Sequence, residues 1–506
     1  MDNHNNPANH QNHTQIDWKS AEECSRANCE LKELKRSIDW KQGLAIALGV
    51  PLLILPSIGY LTNYVWAFSI IIWGLTVLLG FFQNISFGEL ATVLPKASGL
   101  PGYTQIVFGS NTGNNTSEKS RLMGKFIGGF SAWSYWLGWS PVIGIYAILI
   151  GDYLHGLLPI FSVIPQTFFN LIVGALVFGY MIIINSKGLK NGAKLGYILA
   201  VVSLLPLVVI TLAPFFTGDF QLTNITGAWL PQDWSWDLKH ILIILGLFAM
   251  AEWSAVAWES AAIFGPEYKN PNTDTPKALL VCGLICLVLY VLVQTSVIGA
   301  LGVKGVLADP ISPMLPLAKL SLGPIGGSIA ILMLVAAMIL IIQTAFLSSA
   351  RSIYSMAIEG NLPSIFGKLN ANGNPVNAMI ADGLFNMCLI LLGSPTAILS
   401  ASAVGYIVAN GMSLFAYVKS KKDPEFSKLE RPFKAPRGWT EIALATGILN
   451  IPFFLIGIIY ISTLESGWIA TAVGFVVLLL YVPIWSHLQK NELKTAKKQE
   501  AVLLAE

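Results

Sequence analysis

Charged residues are scarce in this 506-residue sequence, where Asp, Glu, Lys and Arg together make up 12% of the chain. Soluble globular proteins carry about twice that fraction. The scarcity therefore argues against a soluble enzyme or binding protein of this size. The formal net charge is only +3, and it is spread over polar connections rather than gathered in one patch. Such a distribution gives no indication of nucleic-acid binding.

Motifs of the common catalytic machineries are also missing from the sequence. No G-x-x-x-x-G-K-[ST] loop occurs, and an ATP-driven pump needs such a loop to hold phosphate. Neither H-E-x-x-H nor G-x-S-x-G occurs, so a zinc protease or a serine hydrolase inside the membrane is disfavoured. We expect no enzyme activity, no cofactor and no metal.

The chain contains only five cysteines, and their positions do not indicate a disulfide framework. Cys24 and Cys29 precede the first apolar run, whereas Cys282, Cys286 and Cys388 lie within apolar runs. Disulfides form in oxidising compartments, and none of these five positions is predicted to reach one. The cysteines are therefore expected to be free.

The first 41 residues are polar and do not have the form of a cleavable signal sequence. His4, His10 and His13 lie in this segment, but no Cys or His follows at the spacing of a metal site. We predict a polar tail without a metal, and its function stays open.

Long hydrophobic runs account for much of the sequence. Hydrophobic residues make up 54% of it, and the mean hydropathy is +0.62. About 20 apolar residues are needed to cross the hydrocarbon core of a bilayer. Twelve runs meet this requirement: residues 42–62, 65–93, 125–151, 166–185, 195–216, 240–264, 277–301, 324–350, 376–393, 396–418, 442–463 and 467–487. The sequence thus predicts an all-α polytopic membrane protein with twelve transmembrane helices.

The basic residues predict the orientation of these helices. If both termini are cytoplasmic, all but three of the 31 Lys and Arg residues fall on the inner side. The exceptions are Lys239, Lys304 and Lys319. Such a bias is typical of inner loops. We therefore predict a multi-pass protein of the cell membrane, with a transmembrane domain at 42–487 between cytoplasmic tails at 1–41 and 488–506.

Three polar segments between the runs carry recognisable motifs. GELATVLPKASG begins at residue 88, EYKNP at residue 267 and ARSIYSMAIEGNLP at residue 350. In this order they resemble the exit from helix two, the loop after helix six and the helix-eight signature of the amino acid–polyamine–organocation permeases. The resemblance covers nearly all of the chain except the N-terminal tail.

This resemblance implies the leucine-transporter-like fold, in which two repeats of five helices are inverted relative to each other. The first repeat would occupy residues 42–216, the second residues 240–418, and two C-terminal helices residues 442–487. In such transporters, helices one and six are interrupted at the bilayer midplane, where the substrate binds.

LGVPLLILPS, at residues 48–57, carries two prolines in the first apolar run. Gly49 lowers helix propensity, and Pro51 has no N–H to donate and clashes with the preceding turn. An interruption is expected here, although a proline-kinked span without ligand contact is the alternative. By the resemblance, Gly49, Val50 and Pro51 would bind the substrate carboxylate.

Pro51 departs from the family pattern, because relatives that bind α-amino acids usually have Gly-x-Gly at this place. When the segment is aligned on Leu55 and Pro56, Pro51 takes the position of the second glycine. Proline suits the first turn of a helix but donates no hydrogen bond. A substrate with a modified or absent carboxylate is therefore an open alternative to an ordinary amino acid.

Two glutamates, Glu252 and Glu259, lie inside the sixth apolar run, FAMAEWSAVAWESAAIFGPE. A carboxylate at membrane depth is costly, so both are candidate functional groups. They are seven residues apart and would share one face if the helix were continuous. Glu252 has no counterpart in the family pattern; it is a candidate coupling or gating residue, and its contact with substrate is left open.

The second half of that run resembles arginine/agmatine and putrescine antiporters. The resemblance implies that Trp253 closes over the substrate and that Glu259 couples protonation to binding or gating. Ala257 and Trp258 would lie against the substrate, although packing is an alternative role for Trp258. A carboxyl group shielded from water favours its protonated form, whereas a bound cation favours the ionised form. A structural carboxylate is the alternative for Glu259.

The driving ion is left open by the sequence. Many proton-coupled relatives place a lysine in helix five, and the aligned position here is Ser203, whose hydroxyl carries no charge. Sodium could instead bind between carbonyls of helix one and the hydroxyls of Ser348 or Ser349 in helix eight. Exchange of substrates and simple helix packing by these serines are the alternatives.

Three further ionisable residues lie in or near the apolar runs. Glu89 and Arg351 are at the inner ends of runs two and eight. Their position there fits a cytoplasmic gate and fits interfacial anchoring equally well. Asp382, in run nine, has no predicted role.

The sequence as a whole predicts a secondary transporter, a permease or an antiporter, for a small amino acid or organic amine. It would work by alternating access in the lipid bilayer, with a proton or sodium ion as a possible partner and no nucleic acid. A receptor or scaffold that keeps the transporter fold without transport is the alternative.

Overall fold

The computed structural model describes residues 39–47, 49–94, 99–109, 118–187, 192–263, 268–466 and 468–490. Most of both predicted tails, at 1–41 and 488–506, lies outside these residues. Within the described residues the chain is helical, and none of them forms a β-strand.

The α-helices are numbered here in chain order. They are α1 Trp40–Ala47, α2 Ile58–Val65, α3 Ser69–Val93, α4 Leu100–Gly109, α5 Glu118–Trp139, α6 Val142–Leu157, α7 Gln166–Lys187, α8 Gly192–Thr217, α9 Thr223–Thr226, α10 Leu238–Ala255, α11 Ser260–Ile263, α12 Pro271–Ala308, α13 Met314–Ile358, α14 Val376–Ile390, α15 Pro395–Lys422, α16 Trp439–Ile448, α17 Leu455–Ser466 and α18 Trp468–Leu479. Short 3₁₀ segments include Val50–Ser57 and Ala257–Glu259, and a π-helical segment covers Leu449–Phe454.

Nine helical stretches of the described chain are long and apolar enough to cross a membrane. They are Val50–Val93, Leu122–Leu157, Gln166–Lys187, Leu238–Glu259, Pro271–Ala308, Met314–Ile358, Pro395–Lys422, Trp439–Leu464 and Thr471–Lys490. Two shorter apolar helices are Leu204–Thr217 and Val376–Ile390. The first stretch overlaps two of the predicted apolar runs, so helix length alone does not reproduce the count of twelve. Twelve spans and two inverted repeats remain predictions.

Glycines set the kinks in two of the longest helices. Gly302, within α12, has φ 66° and ψ 165°, and Gly323, within α13, has φ 71° and ψ 173°. Essentially only glycine adopts this region of the backbone map. Each long helix therefore consists of two helical pieces that meet at an angle.

Helix α10 holds a central position because it contacts α3, α15, α17 and the 3₁₀ segment Val50–Ser57. Its C-terminal half, from Ala249 onward, is buried. Helix α15 is buried along nearly its whole length, so its polar side chains face protein. The two segments in which regular α-helix stops, after Ala47 and after Ala255, are thereby packed against each other.

Candidate functional site

The first interruption lies where the sequence places glycine and proline close together. Helix α1 ends at Ala47, and the chain resumes as a 3₁₀ segment from Val50. Pro51 occupies the first turn of that segment, where its missing N–H costs no hydrogen bond. The Leu52 N–H donates to the Gly49 carbonyl at 3.1 Å. The α-helical hydrogen bonding of the first apolar run therefore stops here.

Buried side chains satisfy the backbone carbonyls that the first interruption leaves free. The Tyr146 hydroxyl donates to the Leu52 carbonyl at 2.7 Å. The Tyr290 hydroxyl lies 2.9 Å from the Val50 carbonyl and 2.8 Å from the Ser254 carbonyl. Free carbonyls in a membrane persist only when protein, water or a ligand satisfies them. Tyr290 thus links the first interruption to the end of α10.

The second interruption begins at Val256, immediately after α10. The Val256 N–H still donates to the Glu252 carbonyl at 3.1 Å, but residues Ala257–Glu259 form a 3₁₀ turn. The Trp258 indole donates to the Ala255 carbonyl at 2.8 Å. Both interruptions are therefore stabilised by aromatic side chains rather than left open.

Trp253, the predicted lid, is held by two other helices. Its indole N–H lies 2.7 Å from the Gly138 carbonyl of α5 and 2.7 Å from the Ser402 hydroxyl of α15. The side chain is only 2% exposed. These contacts fix the indole across the junction of α5, α10 and α15.

Glu259, the predicted coupling group, is fully buried between two tyrosines. The Tyr135 hydroxyl donates to Oε1 at 3.0 Å, and the Tyr406 hydroxyl donates to Oε2 at 2.7 Å. Each carboxylate oxygen therefore accepts a hydrogen bond from a phenol. This arrangement stabilises the ionised carboxylate, which attracts cationic groups.

A small cavity lies beside these contacts, with an empty volume of about 150 Å³. It is lined by Leu53, Gly138, Trp139, Val142, Trp253, Ala257 and Tyr406. We call it the central cavity. The part of this space that a water-sized sphere could enter is about 0 Å³, so the walls of the central cavity are in contact and it is closed in this structure. Trp253 and Ala257, two of the predicted substrate-binding residues, line it, and Glu259 contacts Tyr406 of its wall. Their roles in substrate binding remain predictions.

The other predicted substrate-binding residues are distributed around the interruptions. Val50 and Pro51 are buried in the 3₁₀ segment. A Cβ added at Gly49 would meet no atom of the described residues within 4 Å, so these residues leave space beside it. Trp258 does not line the central cavity; it lies against Gly283 of α12 and lines a separate space of about 190 Å³.

Glu252 and Glu259 do not share one face, because the helix is interrupted between them. Glu259 contacts Tyr135 and Tyr406, whereas Glu252 accepts hydrogen bonds from the side-chain amides of Gln83, Asn410 and Asn450. The condition for a shared face, a continuous helix, is not met.

The residues considered for ion coupling lie in different places. Ser203 belongs to α8, and its side chain is outside the described part of the chain. The Ser349 hydroxyl donates to Asp382 Oδ1 at 2.9 Å, and Ser140 and Trp136 donate to the same oxygen. Ser348 is exposed on α13. A sodium site at these serines remains a prediction.

Glu89 forms a buried ionic cluster at the end of α3. It pairs with Lys421 at 2.5 Å and with Arg431 at 2.9 Å, and it also accepts from the Tyr417 hydroxyl. Arg351, by contrast, is exposed. The basic partners of Glu89 come from α15 and from the connection that follows it.

Known transporters resemble this chain in sequence. The arginine/ornithine antiporter ArcD2 of Lactococcus lactis is 26% identical over 359 residues, which cover 66% of this chain and 65% of the antiporter. The lysine-specific permease LysP of the same organism is 24% identical and covers 69% of this chain and 70% of the permease. The chain therefore matches just under two thirds of the length of ArcD2.

A solved structure shares the fold. The manganese transporter of Eremococcus coleocola superposes with a TM-score of 0.57 over 90% of this chain and 98% of that chain, at 13% identity. At such low identity the likeness concerns the fold alone.

A family model described as amino acid permease matches residues 38–485. That range includes both interruptions, the central cavity and the contacts of Glu259. With its apolar helices, this chain is a multi-pass membrane protein and belongs to the amino acid permease family.

Proposed function

We propose that this permease is a secondary active transporter that moves a small amino acid or organic amine by alternating access. The observation that supports the proposal most is the meeting of two interrupted helices at the central cavity. Tyr290 bridges their carbonyls, while Trp253 and Tyr406 line the space beside them. Binding sites of transporters with discontinuous helices have this construction.

The chemistry around the central cavity favours a substrate that carries an amine. Glu259 lies behind Tyr406, with both oxygens held by phenol hydroxyls. An ammonium group that enters the cavity would be attracted by this carboxylate and by the faces of Trp253 and Trp139. Relatives named for arginine, ornithine and lysine are consistent with a cationic amino acid.

The first interruption is the proposed contact for the other end of an amino acid. The described residues leave space beside Gly49, and the 3₁₀ segment from Val50 directs its N-terminal end toward the preceding gap. Helix N-termini favour carboxylates. Because Pro51 has no N–H, this contact has one hydrogen-bond donor fewer than a Gly-x-Gly segment provides. The missing donor weakens the binding of a carboxylate, so it costs an amino acid more binding free energy than it costs an amine without a carboxylate.

Alternating access requires that the helices around the cavity separate on one side at a time. The closed walls of the central cavity are consistent with an occluded state, in which Trp253 is held by Gly138 and Ser402. Release of these two hydrogen bonds would open one side. We propose cytoplasmic termini, so that the Glu89 ionic cluster lies at the inner side.

The test is transport by the purified full-length protein in proteoliposomes. Vesicles loaded with unlabelled arginine, lysine, ornithine, agmatine or putrescine are mixed with the same labelled compound outside. Exchange with at least one of them, absent from protein-free vesicles, supports the proposal. If none of them and no neutral amino acid is taken up, although the protein is folded and inserted, a receptor or scaffold becomes the better explanation.

A further inference from the structure

A second buried carboxylate lies away from the central cavity. Oε1 of Glu252 accepts hydrogen bonds from Gln83 Nε2 at 3.1 Å, Asn410 Nδ2 at 3.3 Å and Asn450 Nδ2 at 2.7 Å. These partners come from α3, α15 and the π-helical segment Leu449–Phe454. We call the four residues the Glu252 cluster. Four separate elements are thus joined at one carboxylate.

The Glu252 cluster has too many acceptors for its donors. All four side chains are buried, with 0% exposure. Three oxygens of the cluster, Glu252 Oε2, Gln83 Oε1 and Asn410 Oδ1, have no hydrogen-bond partner among the described residues. A buried polar atom without a partner costs about 1–3 kcal/mol in proteins. The cluster can therefore accept further hydrogen bonds at these oxygens.

No positive charge balances Glu252 in the described part of the chain. The ion pairs found there involve Glu89 and Asp237, not Glu252. An ionised carboxylate that is buried without a counter-charge is strongly unfavourable. The amides offset part of this cost, but they are neutral. A neutral, protonated carboxyl group fits these surroundings better.

We propose that Glu252 is a proton-binding site that couples a proton to substrate movement, and this inference rests on the proposed transport function. A proton on Oε2 turns that oxygen into an O–H donor in a cluster where Gln83 Oε1 and Asn410 Oδ1 lack a hydrogen-bond partner among the described residues. Protonation also removes the buried charge. A sodium ion would instead need several oxygen ligands at once.

Other titratable side chains lie on the elements around Glu252. The described titratable side chains on the elements that pack against α10 are Glu89 on α3, Tyr406, Tyr417, Lys419, Lys421 and Lys422 on α15, Tyr460 on α17, and Glu259 after the interruption. None of them contacts the Glu252 carboxylate. Only Tyr406 lies within one helical turn of a residue that does, since it is four positions before Asn410.

Two connections link the Glu252 cluster to the central cavity. Tyr406 and Asn410 lie on one face of α15, and Tyr406 lines the cavity and donates to Glu259. Glu252 directly precedes Trp253, which lines the cavity from α10. Displacement of Trp253 or Tyr406 by substrate would therefore change the distance between Glu252 on α10 and Asn410 on α15. Asn450 lies in a π-helical segment that contains Pro452, and such segments are frequent at functional sites.

The decisive experiment compares wild type, Glu252→Gln and Asp382→Asn in proteoliposomes. Glutamine has the size of a protonated glutamate and can donate to the same amide oxygens, so the cluster stays satisfied. Asp382 is a matched control, because it is also buried and also has one oxygen without a partner among the described residues. Folding is checked by size-exclusion chromatography and by substrate-induced thermal stabilisation.

The substrate used is the one found by the exchange assay above, and the membrane potential is clamped to zero. An inward gradient of about one pH unit supports about tenfold accumulation when one proton enters with each substrate. Wild type and Asp382→Asn are expected to reach about this ratio, and Glu252→Gln to reach about one. Accumulation by Glu252→Gln equal to that of wild type overturns the proposal.

The remaining outcomes are also decisive. If wild type exchanges substrate but its uptake ignores the pH gradient, the proton site is wrong while the transport function stands. If uptake follows a sodium gradient that Glu252→Gln abolishes, the site binds sodium and not a proton. If Glu252→Gln does not fold, wild type in weakly buffered solution still tests the inference. Addition of substrate must then change the number of protons bound to the protein, which is measured as a change in the pH of the solution. The infrared band of a protonated carboxyl group must change at the same time.

Discussion

The Tyr406 hydroxyl lies 2.7 Å from Glu259 Oε2 and donates a hydrogen bond to it. Both side chains are buried, and they are 147 residues apart in sequence. Tyr406 also lines the central cavity. A ligand in the cavity that contacts the phenol would therefore act on the carboxylate behind it, and the proposed substrate site would reach the second interruption through this hydrogen bond.

Tyr406→Phe tests this connection because it removes the hydroxyl and keeps the ring. The loss of a hydrogen bond to a charged group costs about 1.5–3 kcal/mol. The part of this cost that falls on the substrate-bound state lowers substrate affinity, by at most about hundredfold. Affinity is measured by substrate-induced thermal shift. The control is Tyr180→Phe, an exposed tyrosine on α7, which should bind like wild type. Equal affinity in both variants would remove Tyr406 from the site.

Glu259→Gln removes the charge that attracts the amine. We expect transport to fall, and its dependence on pH between about 5 and 8 to flatten by the share that Glu259 contributes, because a glutamine does not exchange a proton. The share contributed by Glu252 stays. Initial uptake rates across that range provide the measurement. Glu441→Gln on α16, where the side chain is exposed, is the control. An unchanged pH profile in Glu259→Gln contradicts the coupling role.

Pro51→Gly restores the Gly-x-Gly pattern of permeases for ordinary amino acids. The new residue supplies an N–H in the first turn of the 3₁₀ segment, where a carboxylate can accept it. α-Amino acids are therefore expected to compete better with labelled substrate than they do in wild type, relative to the matching amines. Pro56→Gly changes the other proline of the same segment and should not alter the ranking. A ranking unaffected by Pro51→Gly would exclude this proline as a selectivity element.

Asp237 precedes α10, outside the membrane-spanning part. Its carboxylate accepts from the His240 backbone N–H at 2.9 Å, and this bond, together with the His240 side chain, lowers the pKa of Asp237 to about 2. A depressed pKa in the folded state means that the contribution to stability is present above the ordinary value of 3.8 and is lost as the pH falls toward 2. The melting temperature of Asp237→Ala should therefore be below that of wild type at neutral pH, and the difference should shrink in acid. A difference that is constant with pH would exclude the carboxylate as the cause.

The sequence revealed the places where helices stop, because the signals there are local. Gly49 and Pro51 disfavour α-helix on their own, and the interruption follows at those residues. The second interruption was expected only from the resemblance to transporters with discontinuous helices, while the two acids indicated candidate functional groups in that run. The fold class followed from the apolar runs, since a bilayer requires helices with internally satisfied backbones.

The partners of those residues could not be predicted, because they are distant in sequence. Tyr135 lies 124 residues before Glu259, and Asn450 lies 198 residues after Glu252. Polar residues within apolar runs, such as Gln83 and Asn410, were the available signal, but one sequence does not show which of them meet. Glu252 and Glu259 would share one face only on a continuous helix, and the interruption at Val256 removes that condition.

Arg431 anchors the connection after α15 to the buried end of α3. Its guanidinium donates to Glu89 Oε1 at 2.9 Å and to the Ser420 and Phe426 carbonyls at 2.8 and 3.3 Å. Removal of one partner from a buried ion pair leaves the other charge uncompensated, which costs about 3–5 kcal/mol. Arg431→Gln should therefore lower the melting temperature markedly, whereas Arg437→Gln, at an exposed arginine of the same connection, should not.

Lys421 also pairs with Glu89, so the expected loss for Arg431→Gln lies toward the lower end of that range. A double variant, Glu89→Gln with Arg431→Gln, separates the charge from the packing. If the ion pair is what matters, the double variant is more stable than the sum of the two single losses predicts. Neither Glu89 nor Arg431 then leaves a buried charge behind, and the remaining charge, on Lys421, is on a partly exposed side chain. Strict additivity would mean that Arg431 acts through its backbone contacts alone, and Glu89 would then depend on Lys421 for its counter-charge.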